Sequence, residues 1–409
     1  MSFLILIIQV ILLDSIIVWE IKKIFPQFTS RHRKRFYKAF IIQAAVSALI
    51  IFIGYIFDHK VRDYRLFIWY YYLFGVVVVI YIPKSFYALF LFADWIISTI
   101  NARKRTPDNS QKQKHIVSKA GFLVSLVVAC FVVWGIVYGR YDFTVDHLEI
   151  VNDNVPAAFN GYKIVQISDI HAGSFVGNAH RFQKAVDLIN QQEPDLIVFT
   201  GDMVNNFTEE LTSMIPVFSQ LNASDGKYAV LGNHDYGGYY DWGAPSDSAA
   251  NHKALQNDIE QMGFVLLNNR SVTLTRDNSQ IALIGIENWG THKRYTKRGD
   301  LDKAMEHVHD IPFKLLLSHN PLFWFEHVKE KTDIALTLSG HTHGLQVGVK
   351  LGKKHYSAAI LLRRQFHYWL GLYQAGRQYL YVNRGLGVIG FPGRVGMSPE
   401  ITVVTLSNH

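Results

Sequence analysis

A single cysteine in 409 residues, Cys130, standing inside an apolar run, excludes both a disulfide framework and a thiolate metal cluster. Acidic side chains are scarce at the start of the chain, where residues 1–139 hold 6 Asp/Glu against 17 Lys/Arg. The rest of the sequence carries a small acidic excess, so the formal net charge of +8 comes from the N-terminal part alone. That surplus sits in short segments between long apolar runs. Such placement fits loops retained on the cytoplasmic side of a bilayer better than a face that meets nucleic-acid phosphates. No nucleic-acid partner is expected.

What the first third has in abundance is uninterrupted hydrophobic sequence. Residues 3–19, 39–57, 66–82 and 120–138 are apolar all round, and each approaches the length that crosses roughly 30 Å of hydrocarbon as a helix. Four spans are predicted, which makes 1–139 a transmembrane region and 140–409 a separate domain. Apolar residues continue past Pro83 and Lys84 to Ile100, with Asp94 among them. A long kinked helix, an interfacial helix or a further crossing all suit that stretch. The loops at 20–38 and 101–119 are strongly basic, whereas the one between them mixes Lys60, Arg62 and Arg65 with Asp58 and Asp63. Both basic loops are expected in the cytoplasm, and four crossings then leave the C-terminal domain outside it. A fifth crossing at 84–100 would put the basic loop at 101–119 on the wrong side. The first run has no basic leader and no small-residue cleavage site, so it reads as a retained anchor of a multi-pass cell-membrane protein. Asp14 and Asp94 are the only acidic residues in these runs, too few to suggest a transport path.

From about residue 144 the pattern changes to short β-rich runs at 162–167, 195–200, 227–231, 281–286, 313–317 and 334–338, each ending abruptly. Helical patterns lie between several of them: Phe182, Val186 and Ile189; Leu211, Met214, Ile215 and Phe218; Leu255, Ile259 and Met262. This alternation predicts a layered α/β domain with its ligand site beyond the carboxyl ends of the strands. At those ends stand Asp169 and His171, then Gly201-Asp202, then Gly232-Asn233-His234-Asp235, then His319, then Gly340-His341-Thr342-His343. Burying so many Asp, Asn and His side chains on one edge is costly unless something shared partners them. A pair of divalent ions does so, and an N/O donor set without thiolate suits Mn, Fe or Zn. Two such ions bind the oxygens of a phosphate ester and acidify a bridging water so that hydroxide attacks phosphorus. Asp202 is the expected bridge, because Gly201 lets the chain turn sharply there. His234, next to Asn233, is the expected general acid.

The ordered set D-x-H, G-D, G-N-H-D, a lone His and G-H-x-H resembles the calcineurin-like metallophosphoesterase superfamily over roughly residues 145–406. It is most similar to a bacterial membrane-linked branch whose last motif runs G-H-T-H-G-G-Q and whose C-terminus resembles Tyr381-Val-Asn-Arg-Gly-Leu-Gly387 followed by Pro399-Glu400-Ile401. Leu345 stands where that branch has its second glycine, a departure that bears on backbone shape and substrate fit more than on metal binding. The resemblance implies a four-layer αββα sandwich. It also implies one ion held by Asp169, His171, Asp202 and His343, and another by Asp202, Asn233, His319 and His341.

Other features have a plainer competitor. Asn383 and Arg384 follow a predicted strand at 378–382 and suit either substrate phosphate or a structural ion pair. The basic stretch 292–298 suits an anionic surface or open solvent, and the cationic-aromatic stretch 363–370 suits the bilayer or a packed loop. His115, His147, His307, His309 and His367 read as structural. The expected activity is hydrolysis of a phosphomonoester, phosphodiester (as a phosphodiesterase) or pyrophosphate, on a lipid-linked or envelope substrate. The alternatives are a noncatalytic metal-binding scaffold of the same fold or, for a cytoplasmic domain, a UDP-diacylglucosamine pyrophosphatase of lipid A synthesis.

Overall fold

The computed structural model describes residues 2–24, 29–61, 63–103, 115–290, 297–352, 354–361 and 367–408. Much of the basic loop at 101–119, the stretch 292–296 and residues 363–366 lie outside the described residues. The chain divides into two compact units, one of Met1–Val61 with Trp69–Val137 and one of Tyr138–His409 with Arg62–Ile68.

The first unit consists of four helices, α1 (Ser2–Ile24), α2 (Ser30–Lys60), α3 (Tyr64–Arg103) and α4 (Ile116–Val137). Its outer surface is apolar, with Leu4, Ile41, Trp69, Leu89 and Leu123 all exposed, whereas Asp14, Ser47, Asp94 and Ser118 are buried. That inverts the arrangement of a water-soluble bundle and suits hydrocarbon as the surrounding solvent. Among the described residues three helices are long and apolar enough to cross a membrane: Ser30–Ile56, Tyr64–Asn101 and Ile116–Tyr141. α3 runs without interruption through Pro83 for 40 residues, about 60 Å of helix. A continuous helix does not turn back, so 84–100 adds no crossing of its own. Inside the unit Asp14 accepts from the Tyr81 hydroxyl at 2.7 Å and pairs with Lys84 at 2.5 Å. Lys84 also donates to the Gln43 side-chain oxygen, and the Gln43 amide donates to the Tyr81 hydroxyl at 2.8 Å. His115 closes on Asp94 at 2.7 Å, in keeping with a structural histidine.

The second unit contains two six-stranded sheets. The first orders β1 (Thr144–Val151), β14 (Glu400–Ser407), β2 (Lys163–Ile167), β3 (Leu196–Phe199), β4 (Lys227–Ala229) and β5 (Phe264–Leu266). The second orders β12 (Gly371–Ala375), β13 (Gln378–Val382), β9 (Leu336–Ser339), β8 (Phe313–Leu317), β7 (Ser279–Gly285) and β6 (Arg270–Arg276). A separate hairpin pairs β10 (Val349–Leu351) with β11 (Lys354–Tyr356). Both sheets are mixed: β2, β3, β4 and β5 run parallel, as do β7, β8, β9 and β13, while β14 lies antiparallel to β2.

Strand alternation explains the layers, since neighbouring side chains point to opposite faces. Val165, Ile197 and Phe199 pack against Val186 and Ile189 of α5 (Gln183–Asn190), Phe218 of α6 (Ile215–Phe218) and Leu255 of α7 (Pro245–Gln261). Ile164, Leu196 and Val198 turn the other way and meet Leu283, Leu315, Leu317 and Leu338 of the second sheet. The outer face of that sheet, with Ile284, Leu316 and Val382, is covered by Ala304 and Met305 of α8 (Leu301–Met305) and by Trp324. The result is the αββα sandwich, and the carboxyl ends of the parallel strands in both sheets bring their loops to one edge.

Candidate metal centre

Every motif begins one to three residues after a strand ends, and the chain there adopts conformations that ordinary residues avoid. Asp169, His171, Asp202, His341 and His343 all have φ between +48° and +73°. Left-handed backbone at non-glycine residues is strained by about 1 kcal/mol or more each and gathers at functional sites. Gly201 (φ +96°) has no alternative residue: an added Cβ would lie 2.6 Å from the Gly232 nitrogen and 2.7 Å from His319 Nδ1. Gly387 is equally constrained, since its Cβ would stand 1.8 Å from the Ile170 carbonyl oxygen.

Three loops are held in place by buried carboxylates. Asp235, the last residue of G-N-H-D, accepts from the backbone N–H groups of Asp202, Met203, Val204 and Gly232 at 2.8–3.3 Å. Burial and the nearby Asp202 push its carboxyl up to about 7 in spite of those donors. Glu210 accepts from the N–H groups of Gly173, Asn205, Asn206 and Phe207, and burial raises it to about 7 as well. Asp235 thus ties the G-D loop to the G-N-H-D loop, and Glu210 ties the segment after D-x-H to the segment after G-D, in both cases through backbone N–H groups.

Four imidazoles and two carboxylates then converge. The Nδ1–H of His319 donates to the Thr200 carbonyl at 2.8 Å, and that of His171 to the Asn205 side-chain oxygen at 3.1 Å. Both bonds fix the tautomer and aim the Nε2 lone pair inward. His171 Nε2 faces His343 Nε2 at 3.0 Å, with Asp169 Oδ1 3.3 Å from the latter. On the other side, His319 Nε2 lies 3.1 Å from the Asn233 side-chain oxygen and 3.1 Å from His341 Nδ1. Asp202 Oδ2 stands between, 3.6 Å from His171 Nε2 and 3.1 Å from His319 Nε2. Asp169, His171 and His343 thus form one potential ligand group and Asp202, His319 and His341 another, each with ligand atoms within 4.8 Å of one another.

Electrostatics favours the same arrangement. Burial holds His171 well below its usual range, and burial with neighbouring His319 takes His341 down to about 3, so both present neutral, lone-pair-bearing rings. His319 goes the other way: burial disfavours its charge, but the Asp202 carboxylate overrides this and raises it to about 9. Burial opposes ionisation of Asp202, yet His319 and His234 hold it well below the ordinary carboxylate range. His343 Nδ1 is buried with no hydrogen-bond partner among the described residues. Facing imidazole lone pairs flanked by two anionic carboxylates are a donor set that fits divalent cations, so the residues present suit the ions the sequence implies.

His234 stands beside this group. Its Nδ1–H donates to the Asn205 carbonyl at 2.8 Å, its backbone N–H donates to Asp202 Oδ1 at 2.8 Å, and its ring stacks on Tyr239 at 4.1 Å. The Asn233 amide donates to the Tyr239 hydroxyl at 2.7 Å. Tyr239 was not among the sequence candidates; its place four residues after the motif, in Gly237-Gly238-Tyr239-Tyr240, gave no periodic signal. A cavity of about 490 Å³ opens over these residues, walled on one side by Leu345, Val347, Ile389 and Phe391.

Asn383 and Arg384 do not line it. Arg384 is buried against Asp146 at 2.9 Å and Glu400 at 3.3 Å, and Asn383 donates to Thr402 at 2.8 Å, so the structural ion pair describes them. Their stretch acts at a distance: Leu386 and Gly387 donate backbone N–H groups to the carbonyls of Ser168 and Asp169 at 2.8 and 2.7 Å, holding the D-x-H loop.

An αββα sandwich with its strand-end loops gathered around a His/Asp/Asn donor set defines a metallophosphoesterase. The chain belongs to the calcineurin-like metallophosphoesterases. Residues 162–345 match the family described as calcineurin-like phosphoesterase, and residues 1–140 match a family described as the transmembrane domain of a probable calcineurin-like phosphoesterase. The chain is 34% identical over 270 residues to the uncharacterized metallophosphoesterase YkuE of Bacillus subtilis, covering 65% of this chain and 85% of that one. It is 27% identical over 330 residues to a transmembrane protein with metallophosphoesterase domain from Danio rerio, covering 78% and 71%. Among solved structures, a phosphopantetheinyl hydrolase from Mycobacterium tuberculosis aligns over 57% of this chain and 91% of its own, at 13% identity and a TM-score of 0.34.

Proposed function

We propose that the protein is a dinuclear-metal-dependent phosphoester hydrolase acting on a lipid-linked or envelope substrate. The observation that carries this reading is Asp202 Oδ2, which faces one imidazole from each side of the cluster at 3.6 and 3.1 Å. A bridging carboxylate needs that position. One ion would be held by Asp169, His171, Asp202 and His343, the other by Asp202, Asn233, His319 and His341, and Mn, Fe or Zn suits these ligands. Such a pair, when bound, supplies Lewis acidity that draws in phosphate oxygens and acidifies the attacking water.

The chain's own groups do the rest. With Nδ1–H engaged by the Asn205 carbonyl, His234 presents Nε2 to the cavity and, when protonated, delivers that proton to the leaving oxygen. Burial keeps His234 below its usual basicity while Asp202 favours its charge, so an anionic substrate arriving at the site is what restores the proton. A phosphoryl group joined to an apolar body suits a cavity walled on one side by Leu345, Val347, Ile389 and Phe391. The basic loops at 20–38 and 101–119, with α3 counted as one crossing, favour a domain outside the cytoplasm.

The test is hydrolysis of chromogenic phosphomonoesters, phosphodiesters and lipid-linked pyrophosphates by the purified chain with Mn, Zn, Fe or Mg. Hydrolysis that disappears in Asp202→Ala and drops sharply in His234→Ala is expected; activity indifferent to both substitutions rejects the reading. Reporter fusions after residue 139 check the side of the membrane.

A further inference from the structure

The hairpin that follows the G-H-T-H motif is built the wrong way round for water. Its register pairs Val349 with Tyr356 and Leu351 with Lys354, which puts these four side chains on one face. Val349, Leu351 and Tyr356 are 54%, 65% and 50% exposed. Directly paired strands normally turn such residues toward a core. Here Lys350 and His355 occupy the opposite face, so one face exposes Val349, Leu351 and Tyr356 with Lys354 at its tip and the other carries charge.

The apolar face is continuous with the metal-site cavity. Val347, two residues before β10, lines the cavity and is itself 37% exposed. In extended backbone Val347, Val349 and Leu351 project to one side, a row about 13 Å long from cavity wall to hairpin tip. Gly348 between them allows a close approach, since a Cβ there would lie 2.4 Å from the Tyr356 carbonyl oxygen. Leu345 extends the row inward with φ +59°, in a conformation that glycine adopts without strain. An apolar side chain kept at a strained backbone position on a cavity wall indicates that the side chain is used there.

What covers this row follows from the chain's connectivity and charge. The first strand begins at Thr144, directly after the candidate membrane span Ile116–Tyr141, so the α/β unit is joined in sequence to a helix apolar enough to cross a bilayer. The hairpin sequence carries Lys350, Lys353 and Lys354 with His355 beside them, a cationic set that complements an anionic lipid surface. We infer that β10–β11 is a bilayer-facing element whose row Val347–Val349–Leu351 leads an acyl-bearing phosphoester from the lipid surface into the metal-site cavity. The inference rests on the phosphoesterase reading for its substrate, but the membrane contact is measurable without catalysis.

The experiment uses the full chain in nanodiscs of phosphatidylethanolamine and phosphatidylglycerol, with Cys130→Ser removing the native thiol. An environment-sensitive fluorophore is attached at Leu351→Cys, at Tyr356→Cys or, as reference, at Lys184→Cys on the exposed side of α5, and nitroxide-labelled lipid is the quencher. Quenching at least several-fold stronger at the two hairpin positions than at position 184 is expected, and Val349→Asp should abolish it at position 356. Equal quenching at all three positions overturns the inference, as does efficient 351-to-351 cross-linking between chains without quenching, which would make the row a contact between copies. Hydrolysis of a soluble chromogenic diester by the same samples reports separately on the phosphoesterase reading.

Discussion

Both halves of this molecule bury ionisable side chains, but they balance them differently. In the helical unit Asp14, Lys84, Gln43 and Tyr81 satisfy one another, so that each charge has its partner inside the same cluster. In the α/β unit the Nε2 atoms of His171 and His343 face each other at 3.0 Å, His343 Nδ1 has no partner among the described residues, and Asp202 reaches toward two imidazoles at once. A buried cluster that closes on itself holds helices in register, whereas one with inward-facing donors left over is built for something it does not contain. The distinction lies in hydrogen-bond completeness, and the helical cluster is also the less buried of the two, with the Lys84 side chain 16% exposed against 0% for His171 and His319.

The sharpest way to break this comparison is Asp202→Ala. Removal of the proposed bridge should abolish binding of both ions and lower kcat/KM by about 10⁴-fold or more, read by metal analysis and steady-state kinetics together. His234→Ala should lower kcat by about 10²- to 10⁴-fold while metal content stays intact, which separates proton delivery from ligation. On the other side of the comparison, Asp14→Asn or Lys84→Met strands a buried partner and should destabilise the helical unit by about 3 kcal/mol, seen in thermal unfolding in detergent, with metal content of the α/β unit unchanged.

A pH titration sharpens the contrast. The Asp202 carboxylate holds the metal-free His319 at about 9, so the ring must release a proton before Nε2 can ligate. Below that pH the proton competes with the metal, and above it the competition ends. Apparent metal affinity should therefore rise about tenfold per pH unit from 7 towards 9 and flatten beyond, measured by competition with a fluorescent chelator. The self-closed Asp14 cluster should show no such metal uptake at any pH. Smallest of all, Leu345→Gly relieves a left-handed backbone and should stabilise the α/β unit by about 1 kcal/mol while weakening turnover of apolar substrates.

Legibility in the sequence followed the range of the interactions involved. Strands 313–317 and 378–382 agree with β8 and β13 residue for residue, and the other predicted strands differ at their ends, because short β-branched runs bounded by turn residues are local signals. β14 escaped: it sits between β1 and β2, so its neighbours lie some 240 residues away in sequence. β6 and β12 escaped too, since their burial is partial and their apolar alternation weak. That these Asp, Asn and His side chains come together could be read because each stands at the end of a strand. Asp235 and Glu210 could not, because they act on backbone N–H groups, which every residue possesses. Arg384 shows the limit from the other side. A guanidinium after a strand suits phosphate, and only the distant Asp146 and Glu400 reveal that it is already paired.

The most direct measurement is the metal content of the full chain reconstituted with Mn(II), combined with electron paramagnetic resonance. Two ions per chain with an exchange-coupled signal, both lost in Asp202→Ala, is the result expected of side chains that meet around a shared carboxylate. One ion or none, or two uncoupled ions indifferent to Asp202, would contradict it.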